Sequence, residues 1–222
     1  MCSSDLTQPD QIFNSTGTSD AIIRTVPGKL SDAQRLELTT MGVSAGRHVL
    51  KDLSGCIGGS RGGLVLRRAL DLLGARKGER FLEIDNAWVP NLNFKEVIDL
   101  TQHKSISNDI NSVVTGDAGP NELWAAALDY MAGENKKFLA GLDKVVGPHR
   151  SSVAAGGWIK MRSVREMKQK VMNNLQFSRV EEAGATGAAY IASWLGQNLG
   201  DEMVSHINQR VSRKAKLLEE NN

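Results

Sequence analysis

The chain has 222 residues, 41% hydrophobic and 23% charged, with a formal net charge of +2. That is globular composition, and its near-balance of charge excludes a strongly basic nucleic-acid surface. No apolar run approaches the roughly 20 residues needed to cross a bilayer; the two cysteines, Cys2 and Cys56, form neither a disulfide framework nor a metal-ligand pattern, so a cytoplasmic setting is expected.

Residues 1–6 differ in character from the rest of the chain and read as a non-native appended stretch. The alternative is a short disordered N-terminus, and in either case they stand outside the fold. Gln11 to Asn14 and Ala21 to Val26 read as strands joined by the small-residue turn around Gly17-Thr18-Ser19. Arg47 to Leu53 is a further strand candidate. Gly58 to Gly63 reads as a glycine-rich loop opening a helix over Leu64 to Leu73, where the apolar residues fall near helical spacing and Gly74 marks the stop.

Between Ala75 and Asn121 the pattern yields one short helix, Phe94 to Leu100. Two helices follow, one with a face of Leu123, Trp124, Ala127, Leu128 and Met131, the other with Phe138, Leu139, Leu142, Val145 and Val146. Pro120 precedes the first, and Gly147-Pro148 ends the second. Ser151 to Ala155 reads as a strand, Gly156-Gly157 as a turn, Val164 to Asn173 as a helix, Phe177 to Val180 as a strand and Glu182 to Leu195 as a helix. This alternation is that of an α/β domain. Residues 198–222 read as a charged helix with a solvated basic face, as does the Arg67-Arg68 pair.

Three segments can carry chemistry. The Gly17-Thr18-Ser19 turn offers backbone N–H groups and two hydroxyls that suit phosphate oxygens, although a plain hairpin turn has the same composition. Gly156-Gly157 strips side chains from a strand–helix junction where a flat ligand can approach, and the helix N-terminus behind it favours an anion; a tight structural turn is the alternative. Glu182 to Ala189 is a small-residue helix suited to close packing, with Glu182 placed either to cap it or to act chemically. His48, His103, His149 and His206 show no ligand spacing. Asp20, directly after the turn, either senses a metal-bound phosphate or caps the hairpin.

In this order, Pro9 to Asp20, then Gly156-Gly157 and Glu182 to Ala189, the chain resembles the C-terminal half of the FGGY carbohydrate kinases from about Pro9 to Ser193. The resemblance implies an α/β fold of the actin-like, ribonuclease-H-like ATPase type, with a mixed sheet flanked by helices. It implies residues 7–197 as an ATP-binding domain, ATP and Mg2+ as cofactors, and a sugar or polyol as phosphoryl acceptor. It places Gly17, Thr18 and Ser19 at the terminal phosphates and Gly156, Gly157 and Trp158 on the adenosine side.

The chain departs from the family pattern in carrying Trp158 after the glycine pair and Met161 where an Asn often approaches the adenine. Phosphoryl transfer needs a base for the acceptor hydroxyl and a metal on the phosphates. The family's catalytic Asp lies some twenty residues ahead of the Gly-Thr-Ser turn; Asp10 is too close to it, and Asp5 falls in the appended stretch. The resemblance therefore implies a nucleotide-binding half without a catalytic residue or a metal ligand of its own, complemented by an N-terminal sugar-binding domain. A non-catalytic actin-like module acting through partners is the other reading.

Overall fold

The computed structural model describes residues 10–48, 52–76, 78–90, 98–99, 113–114, 119–180 and 183–196. Strands β1 (Gln11–Thr16) and β2 (Asp20–Pro27) form the expected hairpin, in register from Ile12 opposite Arg24 to Thr16 opposite Asp20. Helix α1 (Asp32–Thr40) comes next. Its apolar periodicity is weak, yet its start is written in Ser31 and Gln34, which cap each other reciprocally.

Strands β3 (Ser44–Arg47) and β4 (Leu53–Ser60) form an antiparallel pair. The strand expected over Arg47 to Leu53 is instead the connection between them, with residues 49–51 outside the described residues. Part of the glycine-rich stretch expected as a loop is strand β4 itself. Its glycines answer to crowding: a Cβ on Gly58 would lie 1.9 Å from the Phe138 ring, and one on Gly59 would lie 2.2 Å from the Asp20 carbonyl oxygen.

Helix α2 (Gly62–Leu72) is present as expected, whereas α3 (Glu79–Ala87) has no counterpart among the expected elements. Of the helix expected over Phe94 to Leu100, only Ile98 and Asp99 are described. They form a two-residue strand, β5, paired with β6 (Val113–Val114). The two helices expected after Pro120 are one, α4 (Pro120–Val146), ended by Gly147 at φ 88°. The polar run Gly133 to Lys137 suggests a break, but it stays helical, with Glu134 and Lys137 paired at 3.1 Å across one turn.

Strand β7 (Ser151–Ala155), a 3-10 turn (Gly157–Lys160), α5 (Arg162–Val171), β8 (Leu175–Phe177) and α6 (Ala183–Gly196) complete the described chain. The last strand thus lies about two residues earlier than expected. Glu182 and the tail from residue 198 lie outside the described residues.

The main sheet has the order β3-β4-β2-β1-β7-β8. β1, β2, β4 and β3 run antiparallel to their neighbours, whereas β7 is parallel to β1 and β8 to β7. The side-chain period of two sends Ile12, Ile22, Val26 and Cys56 to one face, beneath Leu38, Leu139 and Leu142 of α1 and α4. Phe13, Val153 and Ala155 point to the other face, against Ala183 of α6. A third cluster around fully buried Trp124 and Leu128 joins α2, α3, α4 and α5. The domain is therefore a mixed sheet with helices on both faces, the expected fold class.

Cys56 lies on β4, between β3 and β2, and is fully buried. Burial pushes its thiol up, against the pull of the Arg24 charge. A group raised in the folded state contributes stability that is complete below its unfolded value and is lost as the pH climbs above it, here from about 8.5–9 upward. Cys56 is accordingly expected to resist an aromatic disulfide reagent until the chain unfolds, and the melting midpoint is expected to fall across that alkaline range. Prompt labelling of Cys56 in the folded chain would contradict this.

Candidate functional site

β1 and β7 are parallel neighbours, with Ser15 opposite Ala155, so the turns that follow them emerge at the same end of the sheet. In open α/β sheets the carboxyl ends of the strands are where ligands bind. The turn after β1 holds Gly17, Thr18 and Ser19, with both hydroxyl-bearing residues exposed and the Gly17 N–H donating to the Ser19 carbonyl oxygen at 2.9 Å. The turn after β7 holds Gly156 at φ 113°. A Cβ there would lie 2.3 Å from the Thr16 carbonyl oxygen and 2.7 Å from its carbonyl carbon, so only glycine lets the two turns approach this closely. The first turn is crowded from the side as well: a Cβ on Gly63, in the first turn of α2, would meet the Gly17 carbonyl oxygen at 1.7 Å.

Gly156 also borders a groove of about 520 Å³, lined besides by Ile159, Lys160, Arg165, Phe177 and Ser178, with Arg179 at its rim. The Arg165 guanidinium lies over the Phe177 ring at 4.7 Å from its centroid. The groove thus mixes apolar side chains, Ile159 and Phe177, with three basic ones. Gly157 is exposed with open space beside it. Trp158 is half-buried and packs against the Trp124 cluster rather than lining the groove. A larger groove of about 800 Å³, with Ile23, Thr25, Val43, His48 and Ile191 among its lining, lies along β2, β3 and β4. It includes neither turn and is mainly apolar, so it suits a phosphate-bearing ligand less well.

By sequence the helix N-terminus behind Gly156-Gly157 suits an anionic ligand. It attracts an anion that the chain itself provides. The Asp85 carboxylate, from α3, accepts from the Arg162 and Ser163 backbone N–H groups at 2.8 Å each and from the Ser163 hydroxyl. Arg162 returns the arrangement by donating to the carbonyl oxygens of Asp85, Asn86 and Trp88 at 3.0, 3.1 and 2.9 Å, and the Trp124 indole N–H donates to Ser163 Oγ at 3.1 Å. The orphan amides of α5 and the last carbonyls of α3 are thus satisfied reciprocally, and that position is closed to a ligand.

Beneath the first turn lies a feature that the sequence did not announce. Lys168 of α5 and Asp20 are both fully buried, with Lys168 Nζ at 2.9 and 3.2 Å from the two Asp20 carboxylate oxygens. Lys168 also donates to Asn14 Oδ1 at 2.6 Å. Asn14 Nδ2 donates to Asp20 Oδ1 at 2.8 Å and to the Ala21 carbonyl oxygen at 3.0 Å. Thr16 Oγ1 lies 3.1 Å from Asn14 Oδ1 and 3.2 Å from Asp20 Oδ1. Burial pushes the Lys168 ammonium down, against the pull of Asp20. Asp20 is therefore committed to the interior of the hairpin, which answers the question left open by its position.

These observations bear on the two implied cofactors. A nucleotide fits: Gly17 has open space where a side chain would stand, two exposed hydroxyl-bearing residues follow it, and the groove that holds Arg165 begins at the adjoining turn. A magnesium ion finds no such provision. Among the described residues no group of three or more His, Cys, Asp or Glu side chains is placed to hold a metal, and Asp20, the carboxylate beside the turn, is already paired. Nor is any helix among the described residues long and apolar enough to cross a membrane.

No protein-family model matches the chain, and no curated protein does. Solved structures do match. The chain is similar to the xylulose kinase from Rhodospirillum rubrum, at 19% identity and a TM-score of 0.64, over 91% of this chain and 42% of that one. It is similar to the ligand-bound xylulose kinase from Lactobacillus acidophilus, at 17% identity and a TM-score of 0.67, over 92% and 42%. The gluconate kinase from Lactobacillus acidophilus matches at 16% identity and a TM-score of 0.66, again over 92% and 42%. The chain thus spans less than half the length of these kinases. Likeness at this level of identity carries the fold alone: this chain, a mixed sheet flanked by helices, shares the fold of the matching part of these sugar kinases.

Proposed function

We propose that the chain is the nucleotide-binding half of an FGGY-type carbohydrate kinase, with residues 7–197 as the ATP-binding domain. The whole protein would transfer the γ-phosphoryl group of ATP to a hydroxyl of a sugar or polyol. The observation that carries this reading is the contact of Gly156 with the Thr16 backbone, which sets two small-residue turns side by side at the carboxyl ends of parallel strands. In this reading the Gly17-Thr18-Ser19 turn holds the phosphates with its amides and hydroxyls. Gly156 and Gly157 border the adenosine, and Arg165, on the wall of the groove, offers a positive charge to an anionic ligand. Mg2+, in this reading, would arrive with the phosphates of the nucleotide. The base that accepts the sugar proton, and most of the sugar contacts, belong to a complementary domain.

A non-catalytic nucleotide-binding module is the second reading, favoured by the commitment of Asp20 to Lys168, which leaves the turn without a carboxylate of its own. Melting with nucleotide and assay with acceptor separate these readings. A ligand at one hundred times its Kd stabilises the folded form by about 2.7 kcal/mol, which for a domain of this size is a rise of roughly 5–10 °C. The expected result is a rise with ATP and none with free sugar. ATP-independent melting would sink both nucleotide readings. Reconstitution with a separately expressed N-terminal domain should yield sugar-dependent ADP release under the kinase reading and none under the module reading. Such release by this chain alone would contradict the assignment of the base to another domain.

A further inference from the structure

The buried ion pair beneath the first turn serves no packing need. Lys168 lies on the buried face of α5 beside Val164 and Met167, where an apolar side chain would satisfy the helix. A fully buried ion pair is no better for stability than apolar residues of similar volume. Its geometry, however, is specific. Asp20 and Thr16 are the residue pair that closes the turn, and both belong to the network, so the network grips the turn at its two ends. The helix bearing Lys168 is also the one that the Gly156-Gly157 turn leads into through residues 157–160. A shift of α5 that kept the pair intact would carry both turns together.

Charge points the same way. A lone carboxylate directly after Ser19 would oppose a polyphosphate on the turn, and inside a low-dielectric interior that opposition is poorly screened. Three donors face Asp20 or its partner Asn14: the Lys168 ammonium, the Asn14 amide and the Thr16 hydroxyl.

We infer that Asp20 and Lys168 are positioning residues for the nucleotide: the pair fixes the Gly17–Ser19 turn against α5 and cancels the charge that would otherwise repel the phosphates. The inference rests on the nucleotide reading for its ligand, but its mechanical half can be tested without one.

The test uses the full 222-residue chain, the double variant Asp20→Asn/Lys168→Met, which removes both charges at similar volume, and Thr16→Val, which removes one hydroxyl. Three quantities are measured: ATP affinity, adenosine affinity, and amide hydrogen exchange at Gly17–Ser19 compared with β4. For the folded double variant, ATP affinity should fall about tenfold or more while adenosine affinity changes less than about threefold, because misplacement concerns the phosphate turn. Exchange at Gly17–Ser19 should accelerate while β4 is unchanged. Thr16→Val should show the same pattern, more weakly, and it decides the matter if the double variant does not fold. ATP affinity and turn exchange equal to wild type in a folded variant would overturn the inference and leave the pair as a core filler. Should the wild-type chain bind no ATP, the functional reading falls, and hydrogen exchange alone then upholds or overturns the positioning role.

Discussion

Lys168→Met, made alone, is expected to destabilise the domain by about 3–5 kcal/mol, the cost of leaving one member of a buried ion pair uncompensated. Asp20 would remain fully buried with only the Asn14 amide and the Thr16 hydroxyl as donors. One feature separates this outcome from the ordinary loss of a core side chain. The deficit should be largely recovered when Asp20→Asn is added, giving a coupling in a double-mutant cycle well above the few tenths of a kcal/mol seen between independent sites. Denaturant titration of the four chains of the cycle reads it. A loss that is additive with Asp20→Asn would show that the pair is not ionic.

The second large effect is expected at Gly156. Alanine there must adopt φ 113° and set its Cβ 2.3 Å from the Thr16 carbonyl oxygen. The obstructing atoms are backbone atoms at the end of β1, a strand paired on both sides, so they cannot swing aside as a side chain would. Unfavourable φ and overpacking each cost about 1–3 kcal/mol, and a combined loss of about 2–4 kcal/mol is expected. Gly157→Ala is the natural control. Its Cβ would meet nothing within 4 Å, and its φ is not in the left-handed region, so its effect on melting should stay within about 0.5 kcal/mol. Equal melting of the two variants would mean that the close approach of the two turns is not what the first glycine is for.

The contrast between adjacent glycines shows what the sequence could and could not reveal. Gly156-Gly157 is visible as a turn, and the alternation of strand and helix after residue 150 is plain. So are the hairpin of β1 and β2, Pro120 at a helix start and Gly147 at its end. Local signals of this kind are carried by neighbouring residues and survive in one dimension. Strand β4 was obscured because its requirement is not local: Gly55, Gly58 and Gly59 depress strand propensity, yet Gly58 and Gly59 are needed beneath Phe138 and beside Asp20. The unity of α4 was obscured by the polar residues of its middle, which do not interrupt the helix. α1 could have been found from its capping box. α3 offered less, since its C-terminal end depends on Arg162, about seventy-five residues further along the chain.

The candidate site divides in the same way. The glycines and hydroxyls of the two turns are legible from composition, and the resemblance gives them an order. Lys168 and Asp85 carry no motif. Each is an ordinary charged residue in a helical stretch, and each acquires its meaning from a partner 148 or 78 residues away. The signal that could have been used for Lys168 is its place on the apolar stripe of α5, between Val164 and Met167 on one side and Val171 on the other. A charge at such a position asks for a buried partner of opposite sign, and Asp20, flanked by strand residues, was available.

The central claim is that one nucleotide bridges both turns, and amide chemical-shift mapping of the labelled chain during titration with Mg-ATP tests it most directly. The account predicts that shifts at Gly17–Ser19 and at Gly156, Phe177 and Ser178 saturate together with a single dissociation constant, and that adenosine alone moves only the second group. Shifts confined to the apolar groove near Val43, His48 and Ile191, or the two turns responding with different constants, would contradict it.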